Sequence, residues 1–129
     1  LLLDTHVALW AVMNDARLSA KARRLIGDLD NEVLVSAITV FEIAVKHGMS
    51  RGRAFDMPIS GAQALECFLE AGYRLLSLTP AHAAAMESLP RLHGDPFDRL
   101  LLAQACIEPA RLVTRDAKLL EYGGVTLGV

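Results

Sequence analysis

Apolar residues recur in this sequence with two rhythms. Short continuous runs stand at 1–3 (LLL), 33–37 (VLVSA), 73–78 (YRLLSL), 111–114 (RLVT) and 125–129 (VTLGV), each of strand length. Between them the apolar positions repeat every three to four residues, as at Leu18, Ala22, Leu25, Ile26 and Leu29, which predicts helices. Strands alternating with helices imply crossover units, and so a largely parallel sheet with helices on both faces. One glycine-rich, polar stretch, residues 47–61, interrupts the pattern and reads as a loop too short to join two domains.

In open α/β sheets, ligands bind beyond the carboxyl ends of the strands, where loops enter the following helices. Acids stand at those exits. Asp4 follows LLL, Glu42 lies a turn or two into the helix after VLVSA, and Asp116 follows RLVT. Asp95 and Asp98 open a further helix in the stretch HGDPFDRLLLAQA, residues 93–105.

Each acid has a local explanation. Asp4 can cap the helix THVALWAV and Asp116 the helix AKLLEY, because a carboxylate at a helix start accepts free backbone N–H groups and meets a favourable dipole. Asp95, Pro96 and Asp98 read as N-cap, N1 and N3 of PFDRLLLAQACI. Glu42 follows Thr39 at capping-box spacing, or pairs with Lys46 one turn on. The set is less easily explained. Ser, Thr or Asn would cap as well, and Thr5 and Thr114 stand beside two of the acids.

Several carboxylates at one rim repel one another unless a cation neutralises them, which points to a metal. Oxygen ligands without a cysteine pair favour Mg2+ or Mn2+ over zinc, and such an ion suits phosphodiester hydrolysis. His6 and His93 lie near acids in sequence and are candidates to touch substrate, whereas His47 and His82 read as surface or half-buried structural residues. No serine has a nucleophile-elbow context, and no G-x-x-x-x-G-K-[ST] or G-x-G-x-x-G occurs, so acyl transfer and nucleotide-cofactor chemistry find no support.

Composition refines this only in part. At 129 residues the chain is one domain, spanning 1–129. With 53% hydrophobic but only 5% aromatic residues, its core is aliphatic. The net charge of −2 advertises no nucleic acid, yet 10 of the 13 basic residues are arginine, and Arg91, Arg99, Arg111 and Arg115 lie near the acids in sequence. Cys67 and Cys106 lack metal-type spacing and are expected to be free, buried thiols. No apolar run approaches the roughly 18 residues of a membrane span, so a cytoplasmic location is expected. The first residue is Leu rather than Met, and a short leader ahead of it is expected.

Taken in order, LLLDTHVALW, VSAITVFEIAVKHG, DPFDRLLLAQA and LVTRDAKLLEYG resemble the PIN domain ribonucleases, and among them the VapC toxins of bacterial toxin–antitoxin pairs. The resemblance covers nearly the whole chain. It implies a three-layer α/β/α sandwich on a mainly parallel sheet, an Mg2+- or Mn2+-dependent endoribonuclease, an RNA substrate, a small cognate antitoxin and a homodimer. By position, Asp4, Glu42, Asp98 and Asp116 match the four family acids, Asp95 is a companion, and Thr5 and Thr114 match pocket-supporting hydroxyl residues. The expected assignment gives the metal to Asp4, Asp98 and Asp116, with Glu42 completing the shell or orienting water. Arg99 and Arg115 are expected to grip the RNA backbone.

Rival readings remain at this point. A phosphoaspartyl phosphatase would need a second Asp where His6 stands. A receiver-type signalling domain would share the Mg2+ and the doubly wound sheet, and a catalytically silent PIN-fold binding module would use its acids only to receive a partner's arginine.

Overall fold

A computed structural model describes residues 1–49 and 57–129. Five strands form one parallel sheet: β1 (Leu2–Leu3), β2 (Leu34–Ser36), β3 (Arg74–Leu76), β4 (Leu112–Thr114) and β5 (Thr126–Gly128), in the order β3-β2-β1-β4-β5. Every pairing is parallel, with Leu2 opposite both Leu34 and Leu112, and Leu3 opposite Val113. The expected parallel α/β architecture is therefore the one observed. Its order also removes the receiver reading, because that class of doubly wound sheet runs 2-1-3-4-5.

Alternate strand residues face opposite layers, as the two-residue period of a strand requires. Leu3, Val35 and Val113 point to a core with Val7 and Ala8 of α1 (Thr5–Val12), Ala22 of α2 (Ala20–Gly27), Ile43 of α3 (Ala37–Gly48), and Ala64 and Phe68 of α4 (Gly61–Glu70). Leu2, Leu34 and Leu112 point to a second core with Leu101, Leu102 and Ala105 of α6 (Pro96–Ile107) and Leu119 of α7 (Ala117–Leu120). Strand residues buried on both sides explain why these runs are continuously apolar. Each fully buried leucine contributes about 1.5–3 kcal/mol, so a charge at Val113 would cost the sheet its centre.

Local chemistry sets the boundaries. Ser19 caps α2 and Ser36 caps α3, while Ser60 and Gln63 form a capping box on α4. On α5 (Pro80–Ala85), Thr79 caps and the His82 ring takes the place of the usual Glu or Gln of the box. The close approach of α4 to α3 depends on Gly61, where a Cβ would lie 2.7 Å from the Ala44 Cβ.

Some expectations change. β3 is three residues rather than the six of YRLLSL, and with Arg74 exposed it behaves as an edge strand. Leu29 is fully exposed instead of continuing the α2 stripe, because the helix stops at Gly27 and Asp28 turns extended. Helix α7 ends at Leu120, short of AKLLEY. Cys67 and Cys106 are free, but the first is half-buried and the second exposed, since each sits beside rather than on the inward stripe of its helix. His82 is fully buried rather than half-buried, its ring being consumed by the cap and by Glu108. Of the expected loop at 47–61, residues 47 and 48 belong to α3, Gly61 begins α4, and 50–56 lie outside the described residues.

Candidate active site

After β1 the chain turns into α1, which covers one face of the sheet; after the adjacent β4 it turns into α7, which covers the other. The two exits diverge and leave a crevice at the strand ends, the place where such sheets bind ligands. Asp4 and Asp116 stand on its two sides. Each does two things with one carboxylate.

Asp4 caps α1, its Oδ1 accepting from the Val7 N–H at 2.8 Å. Only 6% of the residue is exposed. Burial pushes its pKa above the ordinary carboxylate value against hydrogen bonds from Thr114 and Val7, and the charge of Asp116 adds to the rise. Asp116 caps α7, its Oδ1 accepting from Lys118 N–H at 2.7 Å and Leu119 N–H at 3.4 Å. Burial raises the Asp116 pKa, but hydrogen bonds from Lys118, His93 and Leu119 together outweigh it and the net shift is downward. Thr114, buried at the end of β4, accepts from the Asp116 N–H at 3.0 Å, so one hydroxyl braces both acids.

Helix α6 delivers the third acid. Asp95 is its N-cap, with Oδ1 2.8 Å from Phe97 N and 3.4 Å from Asp98 N, and Pro96 occupies N1, where its missing N–H costs nothing. This frees Asp98 at N3 to turn toward the crevice. Burial, then Asp95, Glu42 and Asp4, push the Asp98 carboxyl up to about 7, with only His93 among the named charges opposing them. Asp98 therefore shares its field with Asp95, Glu42 and Asp4.

Glu42 projects from α3 and is 4% exposed. Its Oε1 accepts from the Thr5 hydroxyl at 2.8 Å, and its Oε2 pairs with Lys46. The Lys46 alternative from sequence is thus the one observed. The capping-box alternative is corrected: Ser36 is the cap of α3, and Thr39 is a buried N3 residue 3.4 Å from the Thr5 hydroxyl.

His93 lies at the centre of the group. Its Nε2 is 3.1 Å from Asp98 Oδ2 and 3.3 Å from Asp116 Oδ2. Its Nδ1 accepts from the Asp95 N–H at 3.0 Å, so in a neutral ring the proton resides on Nε2 and is donated to the acids. Among the described residues, His93, Asp98 and Asp116 form the compact group whose ligand atoms all lie within 4.8 Å of one another. Asp4 does not join that compact group. Sequence reasoning gave His93 little weight, and the available signal was the HGD spacing, which lets a side chain at i accept from the N–H at i+2. Tyr122 was missed altogether: its hydroxyl donates to Pro90 O at 2.7 Å and accepts from the N–H groups of Leu92 and His93.

The arginines separate. Arg99 points its guanidinium at the carbonyls of Met86, Pro90 and His93, bracing the loop that carries the histidine. Arg111 bonds to Thr126 O at the opposite end of the sheet. Arg115 is exposed beside Asp116, with its guanidinium carbon 5.5 Å from the Trp10 ring centroid. Two clefts flank the acids: one of about 390 Å3 with Arg91, His93 and Arg99, and one of about 410 Å3 with Asp4, Trp10, Arg115 and Asp116. The donors suit a hard divalent cation: carboxylate oxygens converge, and Asp98, raised first by burial and then by neighbouring acids, is a carboxylate whose charge such a cation would stabilise.

The PIN domain family model matches residues 1–125. Ribonuclease VapC22 of Mycobacterium tuberculosis is 38% identical over 119 residues, covering 92% of this chain and 88% of that protein. Among solved structures, VapBC2 from Rickettsia felis bound to a promoter DNA fragment superposes with a TM-score of 0.68 at 17% identity, covering 99% of this chain and 96% of that one. A toxin–antitoxin complex from Klebsiella pneumoniae gives 0.65 at 16% identity, covering 98% and 94%. At such identities these two structures speak for the fold.

Proposed function

This chain belongs to the PIN domain family, and on that footing we propose that it is the toxin of a toxin–antitoxin pair, an endoribonuclease that uses Mg2+ or Mn2+. One observation carries the reading: Asp98 and Asp116 converge on a single point with Asp4 and Glu42 close enough to raise the Asp98 pKa. The relative from Mycobacterium tuberculosis is a ribonuclease by name, and the relatives in fold are toxin–antitoxin complexes, which supports both halves of the proposal.

Asp98 and Asp116 would hold the ion, with Asp4 behind them. When bound, the ion polarises a phosphoryl oxygen and lowers the pKa of water. The chain's own contribution is placement. The caps fix one oxygen each of Asp4 and Asp116, and so the place of both carboxylates. Glu42, gripped by Thr5 and Lys46, is the group we assign to orienting the attacking water. In the reaction a water oxygen bonds to phosphorus as the bond from phosphorus to O3′ breaks; one water proton passes to O3′, leaving a 3′-hydroxyl and a 5′-phosphate. Arg115 lines the cleft with Asp4 and Asp116 and gives one described bond to a carbonyl, whereas Arg99 gives three, so Arg115 is better placed to grip a phosphate.

Cleavage of structured RNA tests this. Activity is expected with Mg2+, and its loss with EDTA, with Asp4→Asn and with Asp98→Asn. Asp95→Asn keeps a capping oxygen and should retain activity. Full activity in EDTA, or in both site variants, would overturn the metal mechanism.

The partner we propose is a small antitoxin, and the assembly a homodimer. Phe41, Val45 and Met49 form an exposed apolar line at four-residue spacing on α3, a surface suited to a second chain.

A further inference from the structure

The cleft on the α1 side of the acids is built differently from the site it adjoins. Asp4 and Asp116 line it together with His6, Trp10, Arg17 and Arg115, around about 410 Å3. Two guanidiniums share one indole, Arg17 at 5.4 Å and Arg115 at 5.5 Å from the Trp10 centroid, and the exposed His6 ring lies 5.9 Å from it.

These groups are held in place before any ligand arrives. Helix α1 ends at Val12 with Met13 as its C-cap, and Asn14 takes a left-handed conformation with φ 49°. Asp15 then folds back, accepting from the Arg17 N–H at 2.8 Å and gripping its guanidinium at 2.7 and 3.0 Å. Arg23 of α2 fastens the turn through Asn14 Oδ1 and Asp15 O, both at 2.7 Å. Arg115 donates to the Arg17 carbonyl at 2.8 Å, so the two cations are tied to each other. Nothing in the catalytic arrangement requires an aromatic ring beside two arginines.

We infer that this cleft is a single-stranded nucleotide subsite, in which Arg17 and Arg115 hold the phosphate next to the scissile one and a base stacks on His6 against Trp10. Cations in the same cleft as the acids of the proposed metal site suit a polyanion that runs past both, and an aromatic face accepts any base because every base has a π surface. The inference rests on the ribonuclease reading for its substrate, but its geometry can be tested without cleavage.

Trp10 is the only tryptophan in the chain, so its emission reports on this cleft alone. The experiment uses the full chain carrying Asp98→Asn, which removes one repelling charge and keeps the RNA intact. A labelled single-stranded RNA octamer is titrated, following Trp10 fluorescence and label anisotropy together. Binding should quench Trp10, and His6→Ala, Arg17→Ala and Arg115→Ala should each weaken it about tenfold. An abasic octamer should show the same loss as His6→Ala, while Arg74→Ala, at the far end of β3 beside Glu32, should change nothing. RNA bound by anisotropy with Trp10 unperturbed and all three variants unaffected overturns the subsite, as does a Trp10 response to a basic peptide but not to RNA, or no binding at all. None of these bears on cleavage by the unsubstituted chain with Mg2+. Conversely, normal quenching by RNA in a chain that fails to cleave would remove the ribonuclease reading and leave the subsite standing.

Discussion

A carboxylate has two oxygens, and in this protein that fact organises the site. Asp4 and Asp116 each spend Oδ1 on helix amides, and Asp116 turns Oδ2 to His93, whereas the α6 pair divides the work, with Asp95 capping and Asp98 meeting His93. Asp98 carries a pH consequence. Its ordinary value of 3.8 is raised to about 7, by burial first and then by Asp95, Glu42 and Asp4, so the folded chain holds a proton there that the unfolded chain has released. By linkage, metal-free stability is full below about pH 4 and falls as pH rises through 7, the opposite of a paired carboxylate. Asp4 acts in the same sense, while Asp116, shifted down, contributes stability that is lost only at lower pH. Melting in EDTA across pH 4–8 should therefore fall for the parent chain, and Asp98→Asn should flatten that fall; an unchanged slope would mean that Asp98 is not the titrating group. Asp4 and Asp116 were legible in the sequence because each follows a strand, and Asp98 because it follows the Asp-Pro start of a helix. His93 was less so, since its partner Asp116 is 23 residues away and only the fold unites them.

Helices α3 and α4 show how spacing between backbones is set by one missing side chain. A methyl at Gly61 would fall 2.7 Å from Ala44 Cβ and 3.2 Å from both Ala44 Cα and Val40 O, contacts that are mostly backbone or at its root and cannot swing aside. Gly61→Ala should therefore destabilise the chain by about 1–3 kcal/mol, read as an earlier urea midpoint at constant slope. Gly27→Ala, where nothing lies within 4 Å, is the control that should not lose stability through a clash. The boundaries of α1 and α6 were readable to the residue, because an acid followed by Thr or Pro marks a start. The end of α2 was not, as Leu29 kept the periodicity after the hydrogen bonding had stopped at Gly27. β3 was overestimated for a related reason: an edge strand needs only one apolar face, and YRLLSL supplies more apolar residues than its three paired positions use.

Across the molecule, two aliphatic cores sandwich a sheet whose middle strand is two residues long, so the site depends on β1 being clamped by β2 and β4 on either side. The layers and the parallel order followed from alternating runs of strand and helix periodicity. The strand order did not, because loop lengths alone do not say on which side of β1 the later strands settle. Outside the cores, the α3 line of Phe41, Val45 and Met49 remains exposed, at 60%, 37% and 68%. Phe41→Glu should shift sedimentation from dimer to monomer, with the chain still folded, since Phe41 is 60% exposed and its ring lies 5.7 Å from that of Phe97. A parent chain that sediments as a monomer would reject the dimer instead. The doubled use of the acids also has a consequence for motion. The oxygens that would order a cation are covalently one with the oxygens that hold the first turns of α1 and α7, so an ion arriving in the crevice stiffens two helix starts on opposite faces of the sheet. Hydrogen exchange at the Val7 and Lys118 amides should slow when Mg2+ is added and quicken when EDTA removes it. Occupancy of the crevice would then be written in the breathing of two helices, readable from outside without touching RNA.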